Sequence, residues 1–254
     1  VFMSDVKELN YFNDREPGIH SREEYHSYFP FSDDYTYYGD ASARYYEDEA
    51  VASRIYEYNP NAKLLAIVRD PIERLLSQYR YHKQLGVINE STTLKEALNG
   101  RDPALLRDSH YEHTLPSFTE RFGASQFRVV SLEQGLSNPE SEWERLLDHL
   151  SLSSLPYPDR KNAPRNPTGS ASFRSIYRLT VRPIRHYTPG IYQWMLRSKL
   201  VKKLKLGLLN LLGTADADPI PPEVHDHLRA EFAPTYDYLQ SLGFDVYDPN
   251  EPNP

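Results

Sequence analysis

A short apolar segment that ends in a charged pair and a proline constrains this fold more than any other part of the sequence. Leu64–Val68 is followed at once by Arg69, Asp70 and Pro71. A run this short with these flanks is typical of a buried β-strand that leads into a helix. Pro71 suits the first helical turn, where its missing N–H costs no hydrogen bond.

The helix after this strand is predicted to cover Pro71–Leu85 and to be amphipathic. Its apolar side chains recur at intervals of three and four and form one stripe: Ile72, Leu75, Leu76 and Tyr79. Ser77 lies off the stripe. Together with Arg69 it could hold an anion near the helix N-terminus, where the dipole favours negative charge. A salt-bridged junction that binds nothing has the same spacing, and the spacing alone favours that interpretation.

The stretch Lys63–Tyr79, with the letters KLLAIVRDPIERLLSQY, resembles a known nucleotide-binding segment. It is similar to the 3′-phosphate-binding segment of sulfotransferases that use 3′-phosphoadenosine 5′-phosphosulfate (PAPS), most of all in their heparan sulfate sulfotransferase-like and bacterial branch. In that family the Arg and the Ser of R-D/N-P-x-E-R-x-x-S bind the 3′-phosphate. The resemblance therefore implies that Arg69 and Ser77 bind PAPS.

A second segment, Phe2–Phe12, resembles the K-E-x-x-F/Y-F box of the same family. In the family, the Glu of this box removes the proton of the acceptor hydroxyl, a step that sulfuryl transfer to an alcohol requires. The resemblance implies that Glu8 is the general base and that Lys7, Tyr11 and Phe12 lie beside the acceptor. The alternative interpretation is an exposed Lys-Glu pair before an aromatic core contact.

The segment Tyr38–Tyr46 matches the family only in part. Here the family has a G/V-E-K-S/T-P-x-Y pattern, whose Lys contacts the substrate or the sulfuryl group in the glycosaminoglycan enzymes. Asp40 replaces the Glu and Ala41 replaces that Lys, which weakens the case for a glycosaminoglycan acceptor. Arg44 is the candidate to supply the missing charge to the substrate.

The family's phosphate loop, K-x-G-T-T/S between a strand and a helix, has no counterpart in the sequence. Neither Gly18, Gly39 nor Gly86 is followed by the Lys and hydroxyl residues that cradle a 5′-phosphosulfate. We therefore expect the loop to lie upstream of Val1 and the chain to be the C-terminal bulk of a longer protein.

Alternating strands and helices predict an α/β fold with a mostly parallel sheet and helices on both faces. The order of elements matches the sulfotransferase fold, a relative of the P-loop kinases. We expect a single domain, in which residues 1–150 form the α/β core without its first strand, loop and helix, and residues 151–254 form a loop-rich, helical part. The predicted elements include strands at Lys63–Val68 and Phe127–Val130, and helices at Arg44–Tyr58, Pro71–Leu85 and Pro222–Leu242.

The composition and motifs of the sequence limit the cellular compartment of the protein and the kinds of reactive or metal-binding site that it can contain. The sequence has no cysteine, hence no disulfide and no thiol nucleophile, which favours a reducing compartment. Because Golgi enzymes of the resembled family often carry a disulfide, the resemblance points to a bacterial cytoplasmic member. No apolar run approaches the ~20 residues of a spanning helix. No nucleic-acid motif is present. We expect no metal site, because His110-x-x-His113 and His225-x-His227 lack a third ligand at metal-site spacing.

The charge is concentrated in one block. Residues 160–215 contain twelve Lys or Arg and no Asp or Glu, although the whole chain carries −7. Such a block predicts an anionic partner, and PAPS would account for part of the positive charge.

Within this basic block, Ile191–Leu212 could lie peripherally on a membrane or cover the acceptor cleft, although a core-packing helix with a solvated basic face is commoner. Arg165, in a Pro-rich loop, is a candidate for the adenine side of the cofactor; a solvated linker explains that loop equally well.

The resemblance implies an enzyme that moves a sulfuryl group from PAPS to a hydroxyl of a carbohydrate, lipid or natural product, releasing 3′,5′-ADP. One alternative is another P-loop transferase, such as a small-molecule kinase, which would need a Mg²⁺-binding Asp and a Walker Lys. The other is a non-catalytic remnant that keeps the fold and the basic groove. The sequence upstream of Val1 would distinguish these three.

Overall fold

The computed structural model describes residues 1–14, 19–101, 103–158, 198–212 and 220–244, with a few single positions between 173 and 195. These residues fall into two compact units. Unit 1 consists of Val1–Val68 and Glu112–Tyr157, and unit 2 consists of Arg69–Tyr111 and Pro158–Pro254. Within the described part of the chain, no helix is long and apolar enough to cross a membrane.

Unit 1 contains four short strands that form two parallel pairs. They are β1 (Phe2–Met3), β2 (Tyr38–Gly39), β3 (Leu64–Val68) and β4 (Phe127–Ser131). β1 pairs with β2, and β3 pairs with β4 so that Leu64 lies opposite Phe127. The predicted parallel pairing is therefore confirmed.

Helices account for most of the remaining described residues. In chain order they are α1 (Arg22–His26), a 3₁₀ helix (Ala43–Glu47), α2 (Ala50–Tyr58), α3 (Pro71–Leu85), α4 (Leu94–Glu96), a π-helical turn (Ala97–Arg101), α5 (Ala104–Arg107), α6 (Tyr111–Gln126), α7 (Leu132–Ser137), α8 (Pro139–His149), α9 (Lys199–Leu212), α10 (Pro222–Glu231) and α11 (Ala233–Ser241).

Helices lie on both faces of β4, as the sequence predicts for an α/β fold. Successive strand residues point to opposite faces of a sheet. The Phe127 ring packs 5.6 Å from the ring of Phe118 on α6. The next residue, Arg128, forms an ion pair of 3.0 Å with Glu142 on α8. The α/β class is thereby confirmed.

The prediction that β3 is a buried strand is wrong for one of its faces. Val68 is buried, but Leu65 is 43% exposed and Ile67 is 63% exposed. These two residues alternate with Val68 and point to the face that carries Arg128 on β4. Among the described residues, the helix on that face covers β4 and leaves the side chains of β3 open.

Two predicted helices are each broken in two. Within Arg44–Tyr58, Asp48 is extended, with φ −137° and ψ 116°, and its carboxylate accepts from the N–H of Ala50 at 3.1 Å. Asp commonly ends one helix and starts another in this way. Within Pro222–Leu242, the helix stops at Phe232, because Pro234 has no N–H to continue the ladder.

The core of unit 2 forms where α3 packs against α10. The predicted stripe on α3 is buried, with Leu75 fully excluded from solvent. It contacts a cluster that includes Val224, Leu228 and Phe232. The helix ends at Gly86, whose φ of 72° is the left-handed conformation typical of a helix C-terminus. The predicted bounds Pro71–Leu85 are confirmed.

We predict that Leu228→Ala lowers the free energy of unfolding by about 2–5 kcal/mol, because it leaves a cavity beneath α3. Leu228 is fully buried, whereas Leu242 is 36% exposed, so Leu242→Ala is the matched control and should change stability much less. Urea denaturation monitored by circular dichroism measures both. Equal effects of the two substitutions would contradict this account of the core.

Candidate functional site

The backbone around Glu8 is held in an unusual conformation. Glu8 and Asn10 have φ values of 59° and 52°, in the left-handed region that non-glycine residues seldom adopt. The Glu8 N–H donates to the carbonyl of Ala41 at 3.0 Å, and the Asn10 N–H donates to Oγ of Ser42 at 3.1 Å. Such conformations cost of order 1–3 kcal/mol each and persist only where surrounding contacts enforce them.

The carboxylate of Asp40 orients the two hydroxyls that hold this segment. Ser42 donates its hydroxyl to Oδ1 of Asp40 at 2.7 Å, and Tyr45 donates its hydroxyl to Oδ2 at 2.7 Å. Because their protons point at Asp40, both oxygens present lone pairs to the backbone. The Ser42 oxygen accepts from Asn10, and the Tyr45 oxygen accepts a longer bond of 3.5 Å from the Phe12 N–H.

Glu8 is exposed at the surface, and its carboxylate is only partly desolvated. Its Oε1 accepts from the N–H of Ala43 at 3.4 Å. Partial burial raises the pKa of the Glu8 carboxyl above its ordinary value; the Ala43 N–H opposes the rise and the charge of Asp40 adds to it. Burial also raises the pKa of Asp40, against the effect of its hydroxyl donors. Glu8 and Asp40 therefore stabilise the folded state less as the pH rises through these raised values.

The other predicted residues of the box differ in their surroundings. Lys7 is exposed to solvent. The Tyr11 ring stacks on the ring of Tyr25 at 4.4 Å, and the buried Phe12 ring meets Tyr25 and Tyr58 edge to face. Tyr11 and Phe12 thus anchor the box in an aromatic cluster next to Glu8.

Arg44 is partly exposed and forms an ion pair with Glu47. Its Nη2 lies 2.7 Å from Oε2 of Glu47, and its Nε donates to the same oxygen at 2.8 Å. Its backbone carbonyl accepts from the side-chain amide of Asn13 at 3.3 Å. Arg44 therefore supports the fold around the Glu8 segment and keeps its guanidinium at the surface of unit 1.

The start of α3, in unit 2, is fixed through Asp70. One carboxylate oxygen of Asp70 accepts from the N–H of Glu73 at 2.8 Å and caps the helix. The other oxygen accepts from the hydroxyl of Tyr236 on α11 at 2.7 Å. Pro71 occupies the first turn, as predicted.

The Arg69 guanidinium has one nitrogen that is paired and one that the described part of the chain leaves unpaired. Nη2 pairs with Glu73 at 3.1 Å, and the backbone N–H donates to the hydroxyl of Tyr111 at 3.3 Å. Nε is buried and has no hydrogen-bond partner among the described residues. A buried donor of this kind is costly unless an acceptor reaches it. An oxyanion would satisfy it.

Ser77 is exposed on α3, two turns after Asp70 and off the buried stripe. Arg69 and Ser77 thus belong to unit 2, whereas Lys7, Glu8, Tyr11, Phe12 and Arg44 belong to unit 1. Arg165 lies outside the described residues.

Four contributors to these sites did not stand out in the sequence. They are Ser42, Tyr45, Tyr111 and Tyr236. Asp40 stood out only as a departure from a family pattern. The spacing D-x-S-x-x-Y at residues 40–45 was the available signal, since it places two hydroxyls within reach of one carboxylate.

The sequence was compared with profiles of known protein families, and one profile matches a large part of it. The sequence profile described as "Sulfotransferase family" matches residues 22–157, more than half of the chain. The match includes Asp40, Arg69 and Ser77 and begins after Glu8.

The chain is also similar to curated proteins. It is 27% identical to heparan sulfate glucosamine 3-O-sulfotransferase 5 of Mus musculus over 155 residues, which cover 58% of this chain and 45% of that protein. It is 27% identical to carbohydrate sulfotransferase 15 of Homo sapiens over 124 residues, 40% of this chain and 22% of that protein. The chain thus spans less than half the length of these relatives.

A sulfotransferase from Alicyclobacillus acidocaldarius, solved by crystallography, shares the fold. The TM-score is 0.56, with 18% sequence identity, over 79% of this chain and 85% of the other. At this identity, the likeness concerns the fold alone.

We predict that Asp40→Asn speeds hydrogen exchange at the Asn10 amide about five- to tenfold, because an Asn side chain cannot accept from both hydroxyls at once. The Glu8 amide bonds to a backbone carbonyl and should change less. Nuclear magnetic resonance measures each amide, with the exposed Asp33→Asn as the matched control. An unchanged Asn10 rate, or an equal increase at every amide, would contradict the proposed role of Asp40.

Proposed function

The chain belongs to the sulfotransferase family, and from this premise we propose that it moves a sulfuryl group from PAPS to an acceptor hydroxyl and releases 3′,5′-ADP. The observation that carries the proposal is the junction at the start of α3. There the family's Arg position has a buried guanidinium N–H for which the described part of the chain supplies no acceptor. The family's Ser position has an exposed hydroxyl.

Arg69 and Ser77 would hold the 3′-phosphate of the donor. Arg69 offers Nε, and a phosphate oxygen could take the place of Glu73 at Nη2, giving a two-point contact of the kind that guanidinium groups make with phosphate. Ser77 adds a hydroxyl donor. Asp70 supports both, because its bonds to Glu73 and Tyr236 fix where α3 begins.

Glu8 would act on the acceptor. When bound, PAPS supplies an activated sulfuryl group on its 5′-phosphate. The Glu8 carboxylate would take the hydroxyl proton as the acceptor oxygen bonds to sulfur and the bond between sulfur and the 5′-phosphate oxygen breaks. A raised pKa makes this carboxylate a stronger base than an ordinary Glu, provided that the pH lies above that pKa.

The remaining parts of the proposal concern the surroundings of the reaction. Lys7, Tyr11, Phe12 and Arg44 are proposed to line the acceptor, and Arg165 to contact the cofactor. The acceptor is proposed to be a hydroxyl of a carbohydrate, lipid or natural product, and the reaction to need no metal. We propose a single sulfotransferase domain that works in the bacterial cytoplasm and binds no nucleic acid. Residues 191–212 are proposed to contact a membrane peripherally.

The first prediction from this proposal concerns the 3′-phosphate. 3′,5′-ADP should bind more tightly than 5′-AMP, and Arg69→Ala should remove that difference, a loss of about 1.5–3 kcal/mol for a charged hydrogen bond. Isothermal titration calorimetry measures both affinities. Arg80→Ala, one turn beyond Ser77 on the same helix, is the matched control and should keep the difference. Equal affinity of the unaltered chain for the two nucleotides would contradict the assignment.

The second prediction concerns the base. Glu8→Gln keeps the shape of the side chain but cannot accept the proton, so it should lower kcat by about 10²–10⁴-fold. Affinity for 3′,5′-ADP should stay nearly unchanged. The assay is a screen of hydroxylated acceptors with PAPS, with the exposed Glu57→Gln as control. In the unaltered enzyme, kcat should fall as the pH drops through the raised pKa of Glu8.

Two results would count against Glu8 as the base. If Glu8→Gln turns over at a near-normal rate, another group accepts the proton. If nucleotide affinity falls together with activity, the side chain supports the fold, as expected for an ordinary Lys-Glu pair beside an aromatic core.

A further inference from the structure

The helix α9 presents a row of leucines to solvent. Leu200 and Leu204 are each 73% exposed, and Leu211 is 80% exposed. With Gly207 they are spaced by four, three and four residues, which places all four on one face of a helix. A Cβ atom added at Gly207 would meet no heavy atom within 4 Å, so the described residues leave this face open.

Other residues of α9 whose side chains the structure describes show that burial changes around the helix. Val201 and Leu208 are half-buried and seven residues apart, about a quarter of a turn from the leucine row. Lys203 is exposed on the other side of the row. We call the face formed by Leu200, Leu204, Gly207 and Leu211 the leucine face.

The segment of sequence that contains the leucine face is strongly basic. Residues 160–215 carry twelve Lys or Arg and no Asp or Glu, of which four Lys fall within α9. The rest of the chain is acidic, since the whole carries −7. A surface of anionic lipids would therefore attract this segment more strongly than the rest of the chain.

From this combination we infer that the leucine face docks in the plane of an anionic bilayer, with Leu200, Leu204 and Leu211 in the acyl boundary and Lys203 among the headgroups. This is the arrangement of an interfacial amphipathic helix. Fourteen residues give a helix of about 21 Å, shorter than the ~30 Å hydrocarbon core. The inference specifies the membrane contact within the proposed function and stands independently of sulfuryl transfer.

A second copy of the chain is the main competing occupant of the leucine face. Two copies would bring two basic segments together, and their repulsion opposes such a pair. An anionic bilayer neutralises the same charges, so we favour the lipid surface.

The first test is cosedimentation of the full chain with sucrose-loaded vesicles. Vesicles of phosphatidylcholine with one quarter phosphatidylglycerol should bind the chain, and vesicles of phosphatidylcholine alone should bind it much less. The double variant Leu200→Ser/Leu204→Ser should weaken binding about tenfold or more, because two leucines leave the apolar phase. Raising NaCl to 1 M should weaken binding as well, since it shortens the Debye length to about 3 Å.

The matched control is Leu136→Ser, which replaces a leucine that is 58% exposed on α7. It should bind vesicles within about twofold of the unaltered chain. All of these positions are exposed, so the variants should fold; thermal unfolding by circular dichroism checks this. Equal binding to both vesicle types, no binding at all, or equal losses in the double variant and the control would overturn the inference.

The second test uses the absence of cysteine from the sequence. A single Gly207→Cys variant can carry an environment-sensitive fluorophore on the leucine face, and Leu136→Cys serves as the control position. Phosphatidylglycerol vesicles should shift the emission to the blue at residue 207 and leave it unchanged at residue 136. A blue shift without vesicles that grows with protein concentration would show self-association instead, and would overturn the inference.

Discussion

The Asp70 carboxylate joins the start of α3 to α11 within unit 2. Its Oδ1 caps α3 through the Glu73 N–H at 2.8 Å, and its Oδ2 accepts from Tyr236 on α11 at 2.7 Å. Arg69 precedes it directly and Ser77 follows two turns later, so both proposed phosphate ligands take their positions from this cap. Removal of a cap alone typically costs about 1 kcal/mol. Here the same group also anchors a helix from the far end of the chain.

The bounds of α3 could be predicted because every signal for them is local. The apolar stripe, Pro71 in the first turn and Gly86 beyond the last turn lie within sixteen residues of one another, and the structure agrees at both ends. The bond from Tyr236 to Asp70 could not be predicted, since it joins positions 166 residues apart. The exposure of Leu65 and Ile67 could not be predicted either, because the sequence of an apolar strand does not indicate which of its two faces another element covers.

The backbone conformation of the Glu8 segment is another feature that could not be predicted from the sequence. A resemblance to a family box pointed to Glu8, but nothing in the letters indicated a left-handed backbone at a Glu. The conformation depends on Ser42 and Tyr45, which are held in turn by Asp40. These contacts span more than thirty residues. In the sequence, Asp40 stood out only as a departure from the family pattern. In the structure, it accepts hydrogen bonds from the hydroxyls of Ser42 and Tyr45, and these hydroxyls accept from the backbone of the Glu8 segment.

The central claim is that the Arg69 and Ser77 positions bind the 3′-phosphate of the donor. A crystal structure of the chain with 3′,5′-ADP tests this most directly. The account predicts a 3′-phosphate oxygen within about 3.2 Å of Arg69 Nε and another within the same distance of Ser77 Oγ. A nucleotide bound with its 3′-phosphate away from both residues, while Arg69 Nε still lacks an acceptor, would contradict it.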